Sequence, residues 1–242
     1  LVVVPGQPDV GGVGSIRKGC KFRMVSQIKT VCFDLDDTLV DNESGEEERL
    51  RKALGPLSER FPTFDIEDLI DRAMTIDPVQ GRLVTLITET GLVDPKLTDE
   101  AYDLYDETVE HLNLFADVRD VLTQLQAKMP LGLVGNGDTK EQRGKIAHLD
   151  LEKHFEYILI GQEQGCYKPD PEMYKKVIEE SGFQPEEILF VGDRIDEDVR
   201  GPKEVDMQAV WVARGLVRSY PGTIQPDYTI TNLAELFQIL EV

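Results

Sequence analysis

The sequence predicts a doubly wound α/β protein, built on a parallel sheet, with an α-helical domain inserted after its first strand. Three observations predict it. Short, nearly continuous apolar runs recur at Lys29–Asp34 (KTVCFD), Leu131–Gly135 (LGLVG), Tyr157–Ile160 (YILI), Ile188–Gly192 (ILFVG) and Ala209–Ala213 (AVWVA). Such runs are expected of strands buried on both faces of a parallel sheet. Helix signals lie between them, and strands alternating with helices specify this class. Between Asn42 and Phe115 the strand runs stop and apolar residues recur at helical spacing.

Individual elements carry their own signals. Asp138 is placed to cap a helix whose third position is Glu141, a variant of the capping box. Asp170 caps the next helix, with Pro171 in its first turn and Gly182 just past its end. Asn232 opens a last amphipathic helix that runs through Leu240. In the insertion, Leu50, Leu54, Leu57 and Phe61 form one helical stripe and Tyr102, Tyr105, Val109 and Leu112 another. Three or four helices fit there, and Gly55-Pro56 is expected to break the first. Residues 1–23 are rich in glycine, proline and basic side chains and read as a flexible leader before Met24. The expected organisation is therefore a leader at 1–23, an α/β core at 24–42 and 114–242, and a helical domain at 43–113.

Composition excludes several function classes. The 242 residues are 40% apolar, enough for a substantial core, and carry a net charge of −20. That charge disfavours nucleic acid and anionic membrane as partners, since both need basic patches. Any anion site must then be locally positive. No apolar run approaches the roughly 18–20 residues of a membrane span, so a soluble protein is expected. Cys20, Cys32 and Cys166 are scattered without CxxC spacing, which argues against a disulfide framework and against zinc. A reducing, cytoplasmic setting is the default. His111, His148 and His154 show no metal-ligand spacing and read as ordinary surface or half-buried histidines.

The polar residues that matter fall at strand ends. In an open parallel sheet, ligands bind outside the carboxyl ends of the strands. Four segments meet there: Asp34-Leu35-Asp36-Asp37-Thr38, Gly135-Asn136-Gly137, Lys168-Pro169-Asp170-Pro171, and Gly192-Asp193 followed by Asp196, Glu197 and Asp198. Alternate residues leaving a strand can point the same way, so Asp34 and Asp36 can present two carboxylates to one pocket. Two such groups raise each other's proton affinity, which lets one serve as an acid. The plain alternative is a solvated turn, where aspartate is common. Asp193 together with Asp34 suits Mg²⁺, an ion that prefers oxygen ligands. Part of the Asp196–Asp198 run is expected to be no more than the solvated start of a helix. Lys168, held between turns that contain prolines, can be aimed at the same rim; otherwise it is a surface lysine.

Taken together, these segments resemble the haloacid dehalogenase-like (HAD) superfamily. The motifs are V-C-F-D-L-D-D-T-L-V, L-G-L-V-G-N-G-D, Y-K-P-D-P and L-F-V-G-D-R-I-D-E-D-V-R-G, in order, on the expected elements. The resemblance covers residues 29 to about 215 and implies a Rossmann-like core with a helical cap. It implies that Asp34 is a nucleophile forming an aspartyl-phosphate and that Asp36 is the acid, then the base. It implies that Lys168 holds the nucleophile and a phosphate oxygen. Mg²⁺ would be held by Asp34, Asp193 and the backbone carbonyl of Asp36, with Asp198 in support. Asp36 favours phosphate chemistry, because the dehalogenases of the superfamily lack an aspartate there. The expected enzyme is thus a phosphoric monoester hydrolase for a small soluble phosphate ester. The G-N-G-D-T-K-E-Q-R-G-K-I stretch also resembles a subgroup acting on nucleoside monophosphates or sugar-acid phosphates.

One departure bears on the chemistry. Gly135 stands where the family pattern has Thr or Ser, whose hydroxyl donates to phosphate. Loss of one such donor costs about 10²–10³ in rate. The Asn136 backbone N–H and side chain are expected to remain available, and a water can fill the vacated space. Gly135 and Asn136 accordingly count, with Lys168, among the substrate-binding residues. Pro202 is expected to bend the helix after the fourth motif, and Asp206 replaces a usual glycine. Two alternatives stay open: a phosphomutase of the same family, and a binding or regulatory homologue without turnover. Arg72, Arg82 and Lys96 are candidates for reading the non-phosphate part of a substrate, or are solvated charges. Oligomeric state is not legible.

Overall fold

The computed structural model describes residues 28–61, 65–76, 82–89, 95–214 and 224–242. The predicted leader at 1–23, Cys20 and the side chain of Leu57 lie outside what is described. In chain order, β1 (Thr30–Phe33) leads to a short β2 (Val40–Asp41), then to helices α1 (Glu46–Arg60), α2 (Ile66–Ala73), α3 (Arg82–Glu89) and α4 (Pro95–Asp106). β3 (Asn113–Leu114) returns antiparallel to β2. The rest alternates: α5 (Val118–Gln126), β4 (Leu131–Gly135), α6 (Thr139–His148), β5 (Tyr157–Ile160), α7 (Gly161–Gln164), α8 (Pro171–Ser181) and β6 (Ile188–Gly192). A π-helical turn at Ile195–Arg200 runs into α9 (Gly201–Glu204), and β7 (Gln208–Val212), β8 (Tyr228–Ile230) and α10 (Leu236–Ile239) complete the chain.

The main sheet has the order β5-β4-β1-β6-β7-β8, with every pairing parallel. β1 lies at its centre. From β1 the chain builds outward on one side through β4 and β5, then crosses back to β6 on the other. The strand order therefore reverses beside β1, and that is where a doubly wound sheet opens its crevice. β1, β4 and β6 are buried along their whole length. Val31, Phe33, Leu133 and Val191 pack with Leu122 and Leu125 of α5 on one face. Cys32, Val134 and Phe190 pack with Tyr174 and Val177 of α8 on the other. This two-sided burial is the physical reason the strand runs are continuously apolar.

The insert between β2 and β3 has an apolar cluster of its own, built on Leu50 and Leu54 of α1, Leu69 and Ile70 of α2, Leu86 of α3, and Leu97 and Tyr105 of α4. Contrary to expectation, α1 continues through Gly55-Pro56. A side-chain carbon added at Gly55 would meet nothing within 4 Å, so this face is open to solvent and water can serve the carbonyl that Pro56 leaves without its donor. Pro202 sits where the π-helical turn passes without a break into α9, so the missing N–H falls at the change of helical pattern, a place where helices bend. Asp206 adopts φ +66°, the left-handed conformation that glycine reaches without a Cβ penalty. The ribbon β2–β3 and the edge strand β8 carry no run long enough to be seen in sequence.

The predicted caps form. The Asp138 carboxylate accepts the Glu141 N–H at 3.0 Å, and that of Asp170 accepts the Glu172 N–H at 3.0 Å. Gly182 closes α8 at φ +70°. Asn232 precedes a tight turn at Leu233–Glu235 that runs into α10. Among the described residues, no helix is long and apolar enough to cross a membrane.

Candidate active site

Asp34 follows the last residue of β1, and its N–H donates to the Val191 carbonyl at 2.9 Å, which fixes it against β6. Lys168 arrives on the segment between α7 and α8. Its Nζ donates to Asp34 Oδ1 at 2.6 Å and to Asp198 Oδ1 at 2.7 Å, and all three side chains are buried. The second oxygen of Asp198 accepts the Arg194 N–H at 2.9 Å. Asp198 is thus spent on holding Lys168 and the turn after β6. Asp193 leaves the end of β6, its carbonyl accepting the Trp211 indole N–H at 2.8 Å and its carboxylate facing the Thr38 hydroxyl at 3.4 Å.

Asp34, Asp193 and Asp198 each offer an oxygen within 4.8 Å of the others. Lys168 pairs with two of these three carboxylates, and Arg194 is the stronger counter-charge to Asp193. Burial pushes the Asp34 carboxyl upward; Lys168 opposes this, and Asp198 and Asp193 add to it, so it stands well above the usual carboxylate range. Burial, then Asp198 and Asp37, push Asp193 up to about 7. Burial disfavours the Lys168 charge, but Asp198 and Asp34 outweigh it and raise its pKa. The set is all oxygen, with more negative charge than its lysine balances. These residues fit a hard divalent cation, which would supply the missing positive charge.

Asp36 lies in a different environment. Lys145 Nζ donates to its Oδ1 at 2.7 Å, Gln142 Nε2 to its Oδ2 at 2.7 Å, and Asn42 Nδ2 to Oδ1 at 3.0 Å. Burial pushes its pKa up, but the Lys145 charge and the hydrogen bonds from Lys145, Gln142 and Asn42 outweigh that and bring it to about 2. The expected mutual effect of the Asp34–Asp36 pair is therefore corrected. Asp34 is raised first by burial and then by Asp198 and Asp193, while Asp36 is lowered by its own set of donors.

Two expectations about the second strand are corrected as well. The Asn136 side chain is not available to a ligand: its Oδ1 accepts the Lys168 N–H at 2.7 Å and its Nδ2 donates to the Lys168 carbonyl at 2.7 Å and to Glu197 at 3.1 Å. It braces the backbone of Lys168. Nor is there room for a water at Gly135. A side-chain carbon there would lie 2.3 Å from Gln142 Oε1.

Sequence reasoning missed Asn42, Gln142 and Lys145. The last two sit at i and i+3 on α6 and are buried beside Ile146, so that helix turns polar residues inward. A pattern without a clear apolar stripe was the available signal. Lys145 also reaches Glu141 at 2.7 Å, and Glu141 faces Arg49 of α1 at 3.5 Å. A line of charges thus links Asp36 to the insert. Of the insert cations, Arg82 is buried, donating to the Ile76 carbonyl at 2.9 Å and pairing with Glu43 at 3.0 Å. Arg72 is half-exposed and lies 3.9 Å from Asp68, and Lys96 is exposed. His154 is buried against Gln126, and among the described residues no histidine joins a metal-ligating group. The buried Cys32 thiol, pushed up to about 12 by burial, is held unreactive.

A doubly wound sheet whose central strand delivers a buried aspartate to a lysine and two further aspartates defines a hydrolase class. The chain belongs to the haloacid dehalogenase-like hydrolase family, matching it over residues 28–206. It is 27% identical to human N-acylneuraminate-9-phosphatase, with 90% of this chain and 95% of that protein covered. It is 30% identical to glyceraldehyde 3-phosphate phosphatase of Pyrococcus furiosus, covering 89% and 94%. Among solved structures, a magnesium-bound HAD hydrolase of Bacillus subtilis superposes with a TM-score of 0.72 at 25% identity, covering 89% of this chain and all of that one. A 2-haloacid dehalogenase of Pseudomonas syringae superposes with a TM-score of 0.64 at 25% identity, covering 88% and 98%.

Proposed function

We propose that this chain is a Mg²⁺-dependent phosphatase for a small phosphate monoester, acting through an aspartyl-phosphate on Asp34. The observation that carries this reading is the buried Asp34–Lys168–Asp193 cluster at the sheet's crevice, with a separate, hydrogen-bonded Asp36 two residues from the nucleophile. Asp34 attacks phosphorus through one carboxylate oxygen as the ester P–O bond breaks, and Asp36, having first taken up a proton from solvent, passes it to the leaving oxygen. Water then attacks the phosphoenzyme, and Asp36 takes its proton. Lys168 orients Asp34 and offsets charge on the phosphate, while Asn136 braces Lys168. Mg²⁺, held by Asp34, Asp193 and the Asp36 carbonyl, would neutralise the remaining phosphate charge, which matters in a chain of net charge −20.

The helical insert, residues 43–113 in our reading, acts as a cap that closes over the crevice and excludes bulk water. A capped site suits a small molecule, and the relatives named for acylneuraminate and glyceraldehyde phosphates point to sugar-like phosphates. The free cysteines Cys32 and Cys166 accord with a cytoplasmic setting. Likeness to a dehalogenase supports the fold, whereas Asp36 favours the phosphate reading over that chemistry.

The test is release of inorganic phosphate from p-nitrophenyl phosphate and a panel of sugar-acid, triose and nucleoside phosphates, with and without Mg²⁺. We expect Mg²⁺-dependent release that falls about 10³-fold or more in Asp34→Asn. Isomerised sugar phosphate without free phosphate would mark a phosphomutase instead. No Asp34-dependent turnover on any ester would overturn the enzyme reading.

A further inference from the structure

The turn Gly135-Asn136-Gly137 has a shape that its own residues do not explain. A side-chain carbon at Gly135 would fall 2.3 Å from Gln142 Oε1, and one at Gly137 would fall 2.8 Å from Gln142 Nε2. Contacts under 3 Å require something to move. Two glycines therefore form a seat, and the occupant is the carboxamide of Gln142, which is 1% exposed. In that seat Nε2 reaches Asp36 Oδ2 at 2.7 Å, while Oε1 is buried without a hydrogen-bond partner. A buried acceptor without a partner destabilises the fold. The arrangement is thus poor for stability alone, and its visible return is the bond to Asp36.

We infer that Gln142 is a positioning residue for Asp36 and that Gly135, by omitting a side chain, seats it. Lys145 and Asn42 both bind Asp36 Oδ1, so Gln142 alone among the donors described holds Oδ2 and sets the rotation of the carboxylate plane. That rotation determines whether Oδ2 can hand a proton to a leaving oxygen. The absent hydroxyl at position 135 is then part of an exchange rather than a plain loss.

This inference rests on the phosphatase reading, and its test separates the two. A p-nitrophenolate leaving group departs with little need of a proton, whereas an alkoxide needs one. The probes are p-nitrophenyl phosphate and an alkyl phosphate that the wild-type enzyme hydrolyses. Gln142→Met keeps side-chain length but lacks the N–H. We expect its kcat/KM on the alkyl ester, which reports the step that expels the leaving group, to fall by about 10–100-fold. On the aryl ester kcat/KM should fall less than about 3-fold, and the melting temperature should stay within about 3 °C. Gly135→Ala should reproduce the selective loss by unseating the amide and should add nothing to Gln142→Met. Equal losses on both esters, no loss on either, or additive effects of the two substitutions would overturn the inference. Wild-type protein inert on both esters would overturn the phosphatase reading with it.

Discussion

The two sides of the crevice treat aspartate in opposite ways. On the β6 side, Lys168 pairs with Asp34 and Asp198, Asp193 lies close to both carboxylates, and carboxylates outnumber the buried lysine. On the α6 side, Asp36 and Glu141 share Lys145, and two amides add donors to Asp36. The first side holds Asp34 and Asp193 above the usual carboxylate range; the second draws Asp36 down to about 2. Asp34 and Asp36 are two residues apart, so sequence distance says little about this difference. It teaches that an uncompensated cluster is built for a ligand, and a satisfied one for holding a group still.

The largest way to break this contrast is Lys168→Met. It leaves buried carboxylates without their cation, and removing one partner of a buried pair costs about 3–5 kcal/mol. Urea unfolding in metal-free buffer should show that loss, and a change under about 1 kcal/mol would mean the cluster is not charge-limited. Lys145→Met should cost less, about 1–3 kcal/mol, because Asp36 and Glu141 side chains stay 19% and 21% exposed and water can relieve them. If it costs more than Lys168→Met, the ranking of the two sides is wrong.

The smallest effect lies where the insert meets α6. Asp106 of α4 is half-buried; burial, then Glu141 and Asp138, raise its carboxyl to about 6, with Lys140 and Arg49 opposing. The native state thus binds this proton more tightly than the unfolded chain. The resulting stability is complete below the ordinary value of 3.8 and is lost as pH rises through about 6. Asp106→Asn removes the charge that develops. Its melting temperature should exceed the wild type's at pH 8 and match it at pH 4. An equal gain at both would show that the proton is not the cause.

Most of the sheet was legible because burial on both faces demands runs such as LGLVG and ILFVG. The ribbon β2–β3 was not, since two residues per strand carry no periodicity. Pro56 misled because breaking a helix depends on what its exposed face meets, which local sequence does not state. In the site, Asp34 and Asp193 were legible as polar residues closing apolar strands, while Lys168 and Asp198 took their roles from the family motifs. Gln142 and Lys145 were not legible: in sequence they belong to a polar helix, and only its packing turns them inward.

By itself, then, the sequence determined which residues could meet. Strand positions and strand ends follow from apolar runs, and ligands bind outside the carboxyl ends of parallel strands; the order of the strands was left to the fold. Tertiary structure decided how each group is poised. It gave Asn136 to the backbone of Lys168, filled the space at Gly135 with a glutamine from the next helix, and separated two neighbouring aspartates into opposite fields. The reason is physical: orientation and proton affinity depend on partners within a few ångströms, and those partners come from parts of the chain about a hundred residues away.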